Sequence, residues 1–251
     1  MSGFREWLRA RPLLGPLARS LRRFPWASRN ALRRLRFQGS ARHWERHYAG
    51  GGSSGSGSFG RLAEFKAEIL NGFVRDQGVH SVVELGCGDG RQLALAQYPA
   101  YLGLDVSARA IELCRERFRG DASKRFQLYD PRSFRADDSL RAELALSLDV
   151  IFHLVEDDVF ERYMTHLFEL GRRYVIIFSS DHEHNPLLRA PHIRHRRFSQ
   201  WVRERRPGFR LLRVIPNRYP YQGDARSGSY CDFHLYERAS DEGSSVQARS
   251  T

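Results

Sequence analysis

The sequence predicts an α/β protein in which helices cover both faces of a mostly parallel sheet. From residue 80 onward, apolar runs of strand length alternate with amphipathic runs of helix length, which is the pattern of parallel strands joined by helices. The first apolar run ends in alternate glycines, Gly86, Gly88 and Gly90, which permit a tight turn and close approach of a ligand to the backbone. The second ends in Asp105, at the edge where such sheets bind nucleotides.

The predicted elements can be placed in order along the chain. Before the sheet, amphipathic spacing predicts helices over 41–48 and 61–74. The parallel part of the sheet is predicted to contain the strands 80–85, 101–105, 126–129, 144–152 and 174–178. Its helices are predicted to cover 91–97, 108–117, 158–170 and 198–204. Two last strands, 211–215 and 231–236, bring the count to seven and are expected to pair as an antiparallel hairpin.

Residues 49–60 have the glycine- and serine-rich composition of a flexible linker. They lie between two predicted helices of the same domain, where a linker is an unusual connection. We therefore expect a loop that folds over a ligand, with a plain linker as the alternative.

The net charge of +12 is concentrated at the N-terminus, because residues 1–44 hold eleven arginines against the single acid Glu6. An Arg-rich amphipathic start of this kind fits peripheral contact with an anionic membrane, a mitochondrial transit peptide or a solvated basic extension, and all three stay open. The length of 251 residues and the 41% hydrophobic content suit one substantial core. We expect a basic extension, a folded domain and a flexible tail, over 1–40, 41–238 and 239–251.

The three cysteines, Cys87, Cys114 and Cys231, are an odd number and lack the spacing of metal ligands or a redox pair. This argues against a disulfide framework and predicts a reduced, cytoplasmic compartment, with peripheral membrane contact as the variant that the N-terminal charge allows. No stretch of the sequence has the apolar length of a membrane span.

The spacing of the glycines decides between cofactors. A dinucleotide fingerprint, G-x-G-x-x-G, would need a glycine where Arg91 stands. The run from Glu84 to Gly90 reads E-x-G-x-G-x-G and resembles motif I of the class I S-adenosylmethionine (SAM) dependent methyltransferases. That resemblance covers about 44–238 and implies a Rossmann-like seven-stranded methyltransferase sheet, mostly parallel with a C-terminal antiparallel strand, and SAM as cofactor. Three segments look like those of bacterial members associated with cell-surface glycan pathways. They are the segment around Trp44, the glycine- and serine-rich residues 49–60, which we call the Gly-Ser loop, and the predicted fourth strand, 144–152.

Acids at the strand ends are the main predicted cofactor contacts. Asp105 follows Gly86 by nineteen residues, where sheets of this kind place an acid that accepts ribose hydroxyls, and a helix-cap role there is better served by Ser107. The resemblance implies that Asp130 receives the adenine amino group, with an Asp-Pro turn as the alternative. Glu84 is expected to orient the glycine turn or to meet the amino group of SAM. The other predicted contacts are Trp44, Tyr48, Cys87, Val106 and Leu148.

The exit of strand four carries the candidate catalytic residues, Asp149 and His153. An N-P-P-Y-type quartet is missing from it, which argues against methylation of DNA adenine or glutamine amides. The matching segment of the family often carries a histidine, so His153 is the candidate base for an acceptor hydroxyl, with a pKa near working pH. The alternative is a hydrogen-bonded core histidine. Asp149 is expected either to end the strand or to contact the sulfonium region.

Polar and aromatic side chains after strand five are the predicted acceptor contacts, His182, His184, Arg194, His195, Tyr219 and Tyr221. Such a mixture suits a saccharide or an anionic group better than a purely apolar ligand. We expect no metal, because no further ligand set of recognisable spacing follows His182 and His184. The predicted function is methylation of a hydroxyl on a small molecule or saccharide. The alternatives are RNA methylation, which the sequence supports less because no RNA-binding module is recognisable, and a non-catalytic SAM-binding regulator.

Overall fold

The computed structural model describes residues 37–185 and 190–239. The strands are β1 (Ser81–Leu85), β2 (Ala100–Asp105), β3 (Lys124–Leu128), β4 (Ala142–Leu148), β5 (Gly171–Ser179), β6 (Phe209–Ile215) and β7 (Asp232–Arg238). The α-helices are α1 (Ser40–Ala49), α2 (Gly60–Asp76), α3 (Ala108–Arg117), α4 (Asp157–Leu170) and α5 (Phe198–Arg205). The predictions made for residues 1–36 and 240–251, the membrane contact included, lie outside the described part.

The strands form one sheet in the order β3-β2-β1-β4-β5-β7-β6. Strands β1 to β5 pair in parallel, and β7 runs antiparallel to both β5 and β6. This confirms the predicted seven-stranded sheet and its C-terminal hairpin. Successive side chains of a strand point to opposite faces. Ile177 therefore packs in the core on the side of α4 and α5, whereas Ile176 packs with Leu70 of α2 on the other side.

Two predicted elements are wrong. The expected helix over 91–97 is reduced to the 3₁₀ turn Leu93–Leu95, after which Ala96 is extended. The side chain of Asn71 in α2 takes up the backbone groups that a helix would use, because it donates to the carbonyl oxygen of Leu95 and accepts from the N–H of Gln97, each at 2.9 Å. The strand expected over 144–152 ends at Leu148, because Asp149 adopts a left-handed conformation with a φ of 59°. A 3₁₀ turn, Ile151–His153, follows it. The chain thus leaves the sheet four residues earlier than predicted and turns towards its carboxyl edge.

Helix α1 is fastened across that edge at its first residue. The backbone N–H and the hydroxyl of Ser40 donate to the two carboxylate oxygens of Glu156, at 2.8 and 2.5 Å. The hydroxyl oxygen of Ser40 also accepts from the N–H of Val155 at 3.1 Å. Within the described residues, no helix combines the length and apolar character needed to span a membrane. The three cysteines are free, buried thiols.

Candidate active site

A cavity of about 1110 Å³ lies at the carboxyl ends of β1, β2 and β4. This is the place where the strand order of the sheet reverses, and open α/β sheets bind ligands there. Small-molecule pockets usually enclose about 300–1,000 Å³. The cavity therefore has room for a cofactor and an acceptor together.

The glycine turn after β1 forms one wall of the cavity. Gly86 and Gly88 have φ angles of 87° and 58°, which residues with a Cβ rarely adopt. A Cβ at Gly86 would lie 2.5 Å from Cγ2 of Val150, and one at Gly88 would lie 2.8 Å from the hydroxyl of Tyr48. Gly90 does not line the cavity. Its φ of 74° and its packing against α3 account for the glycine at that position.

Asp105 lies at the end of β2 with both carboxylate oxygens fixed. Oδ2 accepts from the N–H of Gly88 and Oδ1 from the N–H of Ser107, each at 2.9 Å. Ser107 also caps α3 by accepting from the N–H of Ala110 at 3.1 Å, which is the role that the sequence assigned to it. Burial raises the pKa of Asp105 to about 6. Each oxygen retains a second lone pair, so the carboxylate fits two ribose hydroxyls.

The other predicted cofactor residues surround these two features. Glu84 is buried, its Oε2 accepts from the hydroxyl of Tyr101 at 2.7 Å, and burial raises its pKa to about 7. Asp130 is exposed and accepts from the N–H of Arg132 and the hydroxyl of Ser133, at 3.0 and 2.8 Å. That geometry is the turn proposed as the alternative use of Asp130, although its side chain also faces the cavity. The remaining predicted residues in the lining are Trp44, Tyr48, Cys87, Val106 and Leu148.

The Gly-Ser loop covers this part of the cavity, and its residues 53–58 belong to the lining. Ser54 connects the loop to the glycine turn, because its hydroxyl donates to Oδ1 of Asp89 at 2.7 Å and accepts from the N–H of Asp89 at 3.0 Å. The hydroxyl of Tyr48 lies 3.1 Å from the hydroxyl oxygen of Ser54. A plain linker between helices would make none of these contacts.

We expect SAM to slow proteolysis of the Gly-Ser loop, because a loop that lines the cavity is held on both sides once a ligand fills it. Digestion with proteinase K, followed by mass spectrometry of the fragments, measures cleavage within residues 50–59 with and without SAM. The loop at 119–123, away from the cavity, is the internal control. Cleavage at the same rate in both conditions would leave residues 50–59 as a linker.

His153 lines the cavity and is packed among rings. Its ring is 4.7 Å from that of Trp44 and 4.4 Å from that of Phe152. Its Nδ1 donates to the carbonyl oxygen of His192 at 3.0 Å, since a carbonyl only accepts. Burial lowers the pKa of His153 to about 3, which contradicts the expected value near working pH. The imidazole is therefore neutral, with Nε2 as its accepting nitrogen.

Asp149 lies beside the cavity and is paired with a residue that the sequence reasoning missed. Nζ of Lys66 is 2.5 Å from Oδ2 of Asp149, and Lys66 is only 1% exposed. A signal for Lys66 did exist, because it stands four residues after Leu62 on the apolar stripe of α2. A lysine in such a position needs a buried partner.

Two of the six predicted acceptor contacts, His195 and Tyr221, line the cavity. The other four do not. Arg194 pairs with Asp157 at 3.0 Å, and Tyr219 packs under the guanidinium of Arg61. The ring of His182 lies outside the lining, tilted at 4.5 Å from the ring of His195, and the backbone N–H of His184 donates to its Nδ1. Among the described residues, no cluster of three or more His, Cys, Asp or Glu side chains could hold a metal ion.

One side of the cavity is an unbroken row of rings, which we call the ring wall. Successive ring centroids lie 4.2–6.0 Å apart, in the order Trp44, His153, Phe152, His195, Tyr230 and Tyr221. All six side chains line the cavity. Tyr230 is 54% exposed although it is held against Tyr221. An exposed, fixed aromatic face of this kind is typical of a ligand contact.

Comparisons with known proteins agree with the fold and the glycine turn. Residues 82–173 match the family model described as a methyltransferase domain. No match was found among the curated proteins. The fold resembles the N-methyltransferase NodS from Bradyrhizobium japonicum WM9 in complex with S-adenosyl-L-homocysteine, with a TM-score of 0.62 and 13% identity, covering 81% of this chain and 100% of that one.

Two other solved structures share the fold. The magnesium protoporphyrin IX methyltransferase of Synechocystis PCC 6803 with bound SAM has a TM-score of 0.52 at 18% identity, covering 70% of this chain and 79% of that one. The methyltransferase domain of bacterial CtHen1 has a TM-score of 0.54 at 19% identity, covering 70% and 100%. The matched domain contains the glycine turn and Asp105, whose carboxylate fits the ribose of SAM. Residues 82–173 therefore match a methyltransferase domain, and the described chain has the fold of SAM-dependent methyltransferases.

Proposed function

We propose that this protein is a class I SAM-dependent methyltransferase that methylates a hydroxyl group of a small-molecule or saccharide acceptor. The observation that supports this acceptor is the ring wall, in which His153 presents an accepting nitrogen among aromatic faces. Four of its residues, Trp44, His195, Tyr221 and Tyr230, lie outside the segment 82–173 that matches the family model. The half of the cavity proposed for the acceptor is thus built largely by residues that lie outside the segment matched by the family model.

A saccharide fits the ring wall because both have mixed surfaces. The flat faces of the rings suit the C–H faces of a sugar, and the imidazole nitrogens and tyrosine hydroxyls at their edges suit its hydroxyls. A purely apolar acceptor would offer no hydrogen bond to the accepting Nε2 of His153, which carries a desolvation cost.

The residues of the chain have few chemical tasks, because SAM supplies an activated methyl group when bound. Alignment and exclusion of water are the main requirements. Asp105 holds the ribose, the Gly-Ser loop keeps water out, and the ring wall orients the acceptor. Nε2 of His153 accepts a hydrogen bond from the acceptor hydroxyl and directs its oxygen. With a pKa of about 3, His153 orients the acceptor hydroxyl as a weak base, and the proton of that hydroxyl passes to solvent when the product leaves.

Transfer of label from SAM tests this proposal. The protein is incubated with methyl-labelled SAM and an extract of the cells that encode it, and the extract is treated with nuclease or protease in parallel. We expect label in a small-molecule or glycan fraction that resists both treatments. Label that disappears with nuclease would instead establish the RNA methyltransferase alternative.

A further inference from the structure

The ammonium of Lys66 is buried in the wall of the cavity, between α2 and the end of β4. Lys66 is 1% exposed, which places it among the largest fully buried side chains of the described residues. A buried ammonium is strongly unfavourable unless a carboxylate compensates it. Here Oδ2 of Asp149 lies 2.5 Å away, and the ring of Phe178 packs against the ammonium at 5.4 Å.

Asp149 is itself in an unfavourable backbone conformation. Its φ of 59° is left-handed, and for a residue with a side chain this conformation must be held in place by its surroundings. The N–H of Asp149 donates to the carbonyl oxygen of Phe178 at 2.9 Å, and Lys66 holds the carboxylate. These two contacts direct a side chain that is still 19% exposed towards the cavity.

The Gly-Ser loop closes directly onto this pair. A Cβ at Gly57 would lie 2.7 Å from Oδ2 of Asp149 and 3.7 Å from Nζ of Lys66. Only glycine allows the loop to approach so closely. Lys66, Asp149 and Gly57 all line the cavity, so the pair joins α2, the exit of β4 and the loop at one point.

We propose that Lys66 is a positioning residue for SAM binding. It acts through Asp149, by fixing the left-handed turn after β4 and the surface on which the Gly-Ser loop closes. The hydroxyl acceptor plays no part in this inference, so it goes beyond the proposed function and is tested without an acceptor.

The test separates positioning from stability by a double-mutant cycle. The variants are Lys66→Met, Asp149→Asn and the two combined, with Lys124→Met as control, because Lys124 pairs with Asp121 away from the cavity. Each is measured by thermal unfolding and by calorimetric titration with SAM. Lys66→Met leaves the largely buried carboxylate of Asp149 without its ammonium partner, so the melting temperature of this variant should fall, and the double variant should regain most of that loss.

SAM affinity should respond differently from stability. We expect at least tenfold weaker SAM binding in Lys66→Met and in the double variant, and unchanged binding in Lys124→Met. A double variant that binds SAM like the parent would overturn the proposal and leave the pair a structural one.

Gly57→Ala provides a second test that keeps both charges. It should bind SAM about tenfold more weakly at an unchanged melting temperature, because the added methyl group holds the loop away from the pair. Parent-like affinity in Gly57→Ala would also contradict the proposal.

Discussion

Replacement of His153 by alanine is expected to lower methyl transfer by about 10²-fold while the dissociation constant of SAM stays nearly unchanged. The side chain lies on the ring wall of the cavity, and its Nδ1 donates to the carbonyl oxygen of His192. General base assistance contributes about 10²- to 10⁴-fold. We place His153 at the low end of that range because its pKa of about 3 makes it a weak base. Release of S-adenosylhomocysteine in the presence of acceptor measures the effect.

A core histidine would behave differently from an orienting one. Its loss would lower the melting temperature and weaken SAM binding and turnover together. His234→Ala is the matched control, because His234 is buried in β7 and does not line the cavity. Full turnover in His153→Ala would show that His153 does not orient the acceptor. A larger fall in melting temperature than in the control, together with lost SAM binding, would show that His153 is a structural residue of the core.

Replacement of Asp105 by alanine is expected to weaken SAM binding by roughly tenfold or more. The substitution removes the acceptors proposed for two ribose hydroxyls, and hydrogen bonds to a charged group contribute about 1.5–3 kcal/mol each. Asp105→Asn keeps the shape of the side chain and one accepting oxygen, so we expect an intermediate loss. Calorimetry on folded variants provides the measurement. Unchanged affinity in both would exclude the ribose assignment.

The same residue predicts how SAM binding depends on pH. Burial raises the pKa of Asp105 from an ordinary 3.8 to about 6, so the carboxylate is ionised at pH 8 and largely protonated at pH 5. SAM affinity should therefore fall as the pH drops through 6. The folded state binds this proton more tightly than the unfolded state, so Asp105 itself favours folding on acidification over that interval. A loss of SAM affinity near pH 6 would therefore not result from unfolding driven by Asp105. The Asp105→Asn variant should lose less SAM affinity over the same pH interval.

The cofactor half of the site was open to prediction because its signals are local. The turn from Gly86 to Gly90 must follow a strand, and Asp105 ends the next one, so a short stretch of sequence contains both. The mostly parallel sheet followed from the alternation of elements. The absent helix over 91–97 was not a local matter, because Asn71 of α2 takes up the backbone groups of Leu95 and Gln97.

The other half of the site depends on contacts between distant parts of the chain. Lys66 meets Asp149 across 83 residues, and spacing contains no information about such a pair. The ring wall likewise joins residues as far apart as Trp44 and Tyr230, which only the topology of the sheet brings together. The pKa of His153 followed from the rings that bury it, and these could not be known before the exit of β4 was placed.

The chemical nature of the methylated atom is the most direct test of the proposed hydroxyl acceptor. The protein is supplied with SAM carrying a carbon-13 methyl group, and the labelled product from the cell extract is examined by carbon–proton correlation NMR. We expect the methyl signal of an ether, which shows that the group was transferred to a hydroxyl oxygen. A methyl signal attached to nitrogen, carbon or sulfur would contradict the proposed acceptor, and with it the role assigned to His153.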